Sequence, residues 1–219
     1  MQKTLTASST PQLSLLGEHH PLVQQLGSAE GVHELARVSH LLRGTPVTDS
    51  ASLRSFLYAY QSRILLPIEL HVIHQAFLHA VGLRTQELID LDRYVGSLET
   101  MQPFLQSSRR VGQNELRRLR PLRDVRVLQR YLAAVDAGHA EGWHTVVFGL
   151  TLAVYSVPLR QGLLGYAQQV MRGFIHMAGT RFPISASEIE DLMEDLNAAL
   201  PVALGSLLFL ECLERRPRR

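Results

Sequence analysis

Ten histidines make metal binding the first chemistry to test in this 219-residue sequence. The adjacent pair His19–His20 is followed by His33 and His40, and imidazole nitrogens are common ligands of zinc and nickel. Adjacent histidines in a polar segment fix no coordination geometry, and no cysteine or carboxylate completes a ligand set. We therefore expect a solvated segment here, with metal binding as the alternative.

A second group of histidines lies in an apolar stretch and consists of His71, His74 and His79, preceded by Glu69. His71 and His74 could share one face of a helix, whereas Glu69 and His74 are five residues apart and diverge. A di-iron helical bundle needs paired Glu-x-x-His motifs with further glutamates, and this stretch contains no such motif. We expect core or surface histidines rather than metal ligands.

General acid–base chemistry is the next possibility, because His139 and His144 flank an apolar segment with carboxylates nearby. A hydrolase would also need a nucleophile on a turn and oxyanion donors. The sequence has no Gly-x-Ser-x-Gly motif, no phosphate-binding glycine loop, and one cysteine, Cys212, within an apolar run. We therefore expect a protein that is not an enzyme, with a buried histidine site of His139, His144 and His176 as the enzymatic alternative.

Charge is strongly segregated along the chain. Residues 109–130 contain eight arginines against Glu115 and Asp124, whereas residues 188–195 contain five carboxylates and no basic residue. Arginine forks bind carboxylates and phosphates, but the basic stretch lacks the aromatic residues on which nucleic-acid bases stack. The pattern predicts a solvated face, an internal ion-pair seam or a surface for a protein partner, with nucleic acid as the least favoured reading.

The composition is that of a folded protein: 46% of the residues are hydrophobic, 19% are charged, and the net charge is +2. The first residues, MQKTLTASSTPQL, contain no apolar core of a signal peptide. We also expect no stretch of the roughly 18–20 apolar residues that a membrane span requires. These features predict a cytoplasmic protein that does not bind membranes.

Apolar residues recur with helical periodicity almost throughout the chain after residue 20. Asp49 or Ser50 can cap the first clear helix, Pro67 and Pro158 can each start a helix, and Pro201 can end one. The sequence predicts an all-α, compact bundle of roughly nine to ten helices. Its expected organisation is a flexible segment at 1–20, a single helical domain at 21–213 and a basic tail at 214–219.

Two local features sharpen this expectation. Residues 143–156 are nearly all apolar, which is typical of a buried helix. Gly149 within that helix costs about 1 kcal/mol relative to alanine, so we expect a close helix crossing there that offsets the loss. Ser185 and Glu188 have the spacing of a capping box, as do Ser187 and Glu190, and these pairs predict a helix start close to Glu188.

A series of short motifs occurs in order between about residues 45 and 200. They are Val47-Thr48-Asp49 with Ser52-Leu53 and Phe56-Leu57; Leu91-Asp92 followed by Ser108 and Gly112; Trp143-His144, Val146-Val147 and Phe148-Gly149; Pro158 with Leu163-Leu164-Gly165-Tyr166; and Arg181-Phe182-Pro183-Ile184. In this order they resemble the urease accessory protein UreF family, although each motif is weak alone. Pro103 and Leu105 replace a family Glu and Arg, and the family's N-terminal signature and C-terminal tail are not matched.

The resemblance implies an all-helical accessory protein that helps assemble the nickel centre of urease. Such proteins bridge apo-urease, the accessory protein UreD (also called UreH) and the GTPase UreG, form homodimers, and need no cofactor or catalytic residue of their own. The alternative is a helical interaction or regulatory module of unrelated function that retains a UreF-like fold. The residues expected at a partner or dimer interface are Tyr58, Tyr60, Ser108, Arg109, Gly112, Arg117, Arg118, Trp143, His144, Tyr155 and Arg181.

Overall fold

The computed structural model describes residues 46–179 and 181–214, and their side chains except at positions 177 and 209–214. This part of the chain contains seven helices and no strand. The helices are α1 (Ser50–Val81), α2 (Thr85–Ser97), α3 (Leu105–Leu119, preceded by a 3-10 helix at Glu99–Phe104), α4 (Arg126–Asp136), α5 (His144–Val154), α6 (Leu159–Gly179) and α7 (Ala186–Glu214). The all-α class is confirmed, whereas the expected count of nine to ten helices is not.

Several expectations fall outside the described residues. They concern the flexible segment at 1–20, residues 215–219 of the basic tail, the side chain of Cys212, and the candidate metal ligands His19, His20, His33 and His40.

Two prolines that we expected at helix boundaries lie inside continuous helices, and both expectations are wrong. Pro67 lies in a π-helical segment, Gln61–Glu69, in the middle of α1. In a π-helix the hydrogen bonds run from residue i to i+5, so the ladder is rearranged around the proline that lacks an N–H. Pro201 lies within α7, where Leu200 and Leu204 on either side of it are buried, and this packing offsets the proline's cost.

The predicted helix caps at Asp49 and at Ser185 are confirmed, at the start of the first and of the last described helix. The backbone N–H of Ser52 donates to Asp49 Oδ1 over 2.8 Å, and the N–H of Asp49 donates back to Ser52 Oγ over 3.1 Å. At the start of α7, the N–H of Glu188 donates to Ser185 Oγ over 3.2 Å, and the N–H of Ser185 donates to Glu188 Oε2 over 2.9 Å. These reciprocal bonds satisfy backbone donors that a helix start leaves free.

Helices α1 and α5 form the centre of the core, and they cross closely at Gly149, as predicted. A Cβ atom at Gly149 would overlap the carbonyl oxygen of Ile73 and lie 2.7 Å from the Cβ of Ala76. The missing side chain therefore lets the two backbones approach, and the resulting burial offsets the low helix propensity of glycine.

Helix α1 is 32 residues long and is the one described helix long and apolar enough to cross a membrane by length and composition. By this criterion α1 departs from the expectation that no stretch reaches that length. Half of its most apolar window is buried inside the protein, and the polar side chains of Glu69 and His74 are buried in the same helix. These features are those of a core helix in a folded protein.

Candidate functional site at the α3–α5 junction

The π-helical segment of α1 brings together two polar residues that a regular helix would separate. Tyr60 and Glu69 are nine residues apart, which is two and a half turns of an α-helix with about 3.6 residues per turn, so their side chains would point in opposite directions. The wider π winding completes about two turns over the same distance. The Tyr60 hydroxyl therefore donates to Glu69 Oε2 over 2.8 Å, and both side chains are fully buried.

A buried chain of hydrogen bonds continues from Glu69 to helix α3. Glu69 is hydrogen-bonded to Tyr166 of α6. The Tyr166 hydroxyl lies 2.8 Å from Nε2 of His144, and His144 Nδ1 lies 2.8 Å from Oγ of Ser108. We call Tyr60, Glu69, Tyr166, His144 and Ser108 the buried polar chain. It joins four helices, α1, α3, α5 and α6, through side chains alone.

One set of donors and acceptors satisfies the whole buried polar chain. A carboxylate only accepts, so Tyr60 and Tyr166 both donate to Glu69. Tyr166 then accepts from the Nε2–H of a neutral His144, whose Nδ1 accepts from Ser108, while Ser108 Oγ accepts from the backbone N–H of His144 over 3.0 Å. Burial first, and then the nearby charge of Glu69, raise the pKa of the Tyr60 and Tyr166 hydroxyls well above the usual range, so both remain donors.

A second buried carboxylate, Asp92 of α2, holds the loop that leads into α5. Asp92 accepts from the Tyr131 hydroxyl over 2.6 Å, from the N–H of Glu141 over 2.6 Å and from the N–H of Trp143 over 2.9 Å. Burial raises the pKa of Asp92, and the bond from Tyr131 and the two backbone amides partly offset that effect. The loop also turns at Gly142, whose φ of +76° favours glycine.

Helix α3 packs directly against this loop at Gly112. A Cβ atom at Gly112 would overlap the carbonyl oxygen of Gly142 and lie 3.1 Å from the backbone nitrogen of His144. On the outer side of the contact, Arg109 Nε lies 2.8 Å from Glu141 Oε2 in an ion pair. The loop is therefore held from α2 by Asp92 and from α3 by Gly112 and Arg109.

Six of the eight arginines of the basic stretch lie on α3 and the following turn, and Arg126 and Arg130 lie on α4. Arg118 lies 3.4 Å from Glu115, and Arg120 Nη2 lies 2.9 Å from Asp136 Oδ1. In the acidic stretch at 188–195, Asp195 forms an ion pair with Arg54 of α1. The basic and acidic stretches thus form no ion pair with each other in the described residues, and the expected internal seam is not formed there.

The structure brings most of the expected interface residues to this junction, where some of them are buried and others are exposed. Ser108 and His144 are hydrogen-bonded to each other, Gly112 and Trp143 adjoin the same loop, and all four are buried, as is Tyr60 at the far end of the buried polar chain. The exposed members of the set are Arg109, Arg117 and Arg118 on α3, together with Tyr58, Tyr155 and Arg181 on other elements.

Sequence reasoning missed the roles of Glu69, Asp92, Tyr131 and Tyr166. In the sequence, Glu69 drew attention only as a possible metal ligand, and Asp92 and Tyr166 only within the motifs that resemble the UreF family. For Glu69 the sequence did contain a signal, an isolated carboxylate in an apolar segment, because a buried charge needs hydrogen-bond donors.

The described residues contain no group of three or more His, Cys, Asp or Glu side chains that could hold a metal ion. His144 is buried with both ring nitrogens engaged, whereas His139 and His176 are exposed. The alternative of a buried three-histidine site therefore has no assembled ligand set in the part of the chain that the structure describes.

The fold and the junction define an all-helical protein in which a rigid polar interior supports an exposed, arginine-covered helix. The family model for UreF matches residues 47–197, which is more than half of the chain. The chain therefore belongs to the UreF family of urease accessory proteins. Members of this family are soluble accessory proteins rather than enzymes, and they interact with other urease accessory proteins. No curated protein matches the chain.

Proposed function

We propose that this protein is a cytoplasmic scaffold that helps assemble the nickel centre of urease by bridging UreD (or UreH) and the GTPase UreG to apo-urease. The match to the UreF family over residues 47–197 carries this proposal. The protein would act as a binding partner in the assembly and perform no chemical step itself.

The architecture supports a scaffold role because its polar interior is arranged to fix shape. The buried polar chain and the Asp92 contacts connect α1, α2, α3, α5 and α6. Buried polar networks with satisfied members hold a single arrangement of the elements they join. A surface that is rigid before binding loses less conformational entropy when a partner docks.

We place the partner or dimer interface on the exposed members of the expected set. Tyr58 and Tyr155 are 42% and 45% exposed, and tyrosine is enriched in protein interfaces. Arg109, Arg117 and Arg118 add exposed charge on α3. The buried members Tyr60, Ser108, Gly112, Trp143 and His144 would act through the position of α3 and α5 rather than by contact. A homodimer is part of this proposal.

Co-expression of the tagged chain with UreD and UreG of its own organism, followed by affinity purification and size exclusion, tests the proposal. We expect a stable complex, and light scattering should report two copies of this chain within it. Tyr58→Ala with Tyr155→Ala should weaken the complex, whereas the matched control Tyr94→Ala should not, since Tyr94 is 56% exposed but lies outside the proposed interface. A folded protein that captures neither partner would contradict the proposal and leave the helical interaction module of other function.

A further inference from the structure

The outward face of α3 forms an open groove made of arginine and amide side chains. Its residues fall at spacings of three, four, seven and eleven, so they share one side of the helix. They are Gln106, Arg109, Arg110, Gln113, Asn114 and Arg117.

The positive charge of this α3 groove is only partly neutralised by the protein itself. Arg109 is paired with Glu141, as described above. Arg117 donates to the amide oxygen of Asn114 over 2.7 Å, and among the described residues no carboxylate lies within ion-pair distance of Arg117 or Arg110. Two exposed guanidinium groups therefore remain available to an anionic partner.

A small recess of mixed polar and aliphatic lining adjoins the α3 groove. Gln113 and Arg117 line both features, and the recess is otherwise bounded by Leu116, Leu132 and Val135 and by the ion pair of Arg120 with Asp136. A ligand that lies along the groove thus meets positive charge, amide donors and acceptors, and then an apolar contact.

We propose that the α3 groove docks an acidic segment of a partner protein and that the recess takes an apolar side chain of the same segment. This inference rests on the proposed scaffold function. Arginine forks match carboxylates, and glutamine and asparagine side chains can both donate to and accept from a peptide backbone. Nucleic acid fits less well, because no aromatic residue lines either feature for base stacking.

The groove is also held in place before a partner arrives. Gly112 on the opposite side of α3 seats the helix against the loop at Gly142, and Arg109 is fixed by its ion pair with Glu141. Gln113 Nε2 further donates to the carbonyl oxygen of Glu141 over 3.4 Å. A groove built on a helix with such support presents its charges in a fixed pattern.

Fluorescence anisotropy with three labelled probes of equal charge tests the proposal on the full chain: an all-glutamate peptide, the same peptide with one leucine, and oligouridine RNA. The charge-reversal variant is Arg110→Glu with Arg117→Glu. The matched control is Arg160→Glu with Arg172→Glu, which changes the net charge equally at two exposed arginines of α6 for which the described residues provide no carboxylate partner. Circular dichroism establishes that both variants are folded.

We expect the leucine-containing peptide to bind more tightly than the all-glutamate peptide, and the binding of both to weaken as salt is added. The groove variant should lose about tenfold in affinity for both peptides, whereas the control should stay within about twofold of the wild type. Equal losses in the two variants would show a general charge effect and overturn the proposal. Tighter binding of the RNA, lost in the groove variant, would overturn it in favour of a nucleic-acid surface.

The same two variants separate this inference from the scaffold function. If the groove variant still assembles with UreD and UreG as well as the control does, the scaffold function stands and the α3 groove is not its docking surface. If the wild-type chain captures neither partner but binds the acidic peptides through Arg110 and Arg117, the groove stands and the urease role fails.

Discussion

Replacing Gly112 with alanine should destabilise the protein, although alanine is the better helix former. In an exposed helix the change would stabilise by about 1 kcal/mol. Here the new Cβ atom would overlap the carbonyl oxygen of Gly142 and crowd the backbone nitrogen of His144. Asp92 holds the loop on both sides of Gly142, so the loop cannot withdraw freely. Overpacking of this kind costs about 3 kcal/mol at its upper end, which leaves a net loss of about 2 kcal/mol.

Gly205 provides the matched control, because it lies in α7 and an added Cβ atom there would meet nothing within 4 Å. Gly205→Ala should therefore stabilise by up to about 1 kcal/mol. Urea unfolding followed by circular dichroism gives the free energy of unfolding of each variant. If Gly112→Ala proved as stable as the wild type, α3 would not be seated against the loop as described, and the account of the junction would be refuted.

Changes at three buried polar residues, and at the exposed helix cap Asp49, provide further tests. Glu69→Ala should lower the free energy of unfolding, measured in urea, by about 3 kcal/mol, since it leaves two buried tyrosine hydroxyls without their acceptor. Glu69→Gln should lower it by less, because the amide oxygen can still accept, and equal losses in the two variants would contradict this assignment. Tyr131→Phe should cost about 2 kcal/mol at neutral pH by removing a donor to Asp92. Because burial raises the pKa of Asp92, its contribution to stability is present below the unfolded-state pKa of about 4 and is lost as the pH rises through the folded-state pKa. The wild type should therefore lose stability relative to Asp92→Asn as the pH rises above about 4. Asp49 should show the opposite pH dependence, because the backbone N–H of Ser52 donates to its carboxylate and lowers its pKa. The wild type should therefore be more stable than Asp49→Ala at neutral pH, and this difference should disappear as the pH falls below about 4. A constant difference across that range would contradict the capping assignment.

Features set by local chemistry could be predicted from the sequence. The Asp49 cap and the Ser185–Glu188 capping box each depend on residues three apart, and both are formed. The close crossing at Gly149 followed from a glycine that a solvated helix would not favour. The order of motifs between about residues 45 and 200 also led correctly to the UreF family, whose family model matches residues 47–197.

The features that the sequence did not reveal depend on long-range packing or on a change of helical winding. Propensity treats Pro67 as a helix start, yet the π-helical segment keeps α1 continuous and turns Tyr60 and Glu69 to the same side. Tyr166, which is hydrogen-bonded to Glu69, and Tyr131, which donates to Asp92, lie on helices far away in the sequence, so no local pattern predicts these contacts. Within the described residues, Pro67 and Pro201 do not end helices, so each lies inside one helix where the sequence predicted a boundary.

The nickel content of urease made with and without this chain tests the central claim most directly. The urease subunits would be expressed with UreD, UreG and the other accessory proteins of the source organism, in the presence or absence of this protein. We predict that without it the urease subunits accumulate but contain little nickel and show little activity, and that the wild-type chain restores both. Fully active, nickel-loaded urease obtained in the absence of this protein would contradict the account.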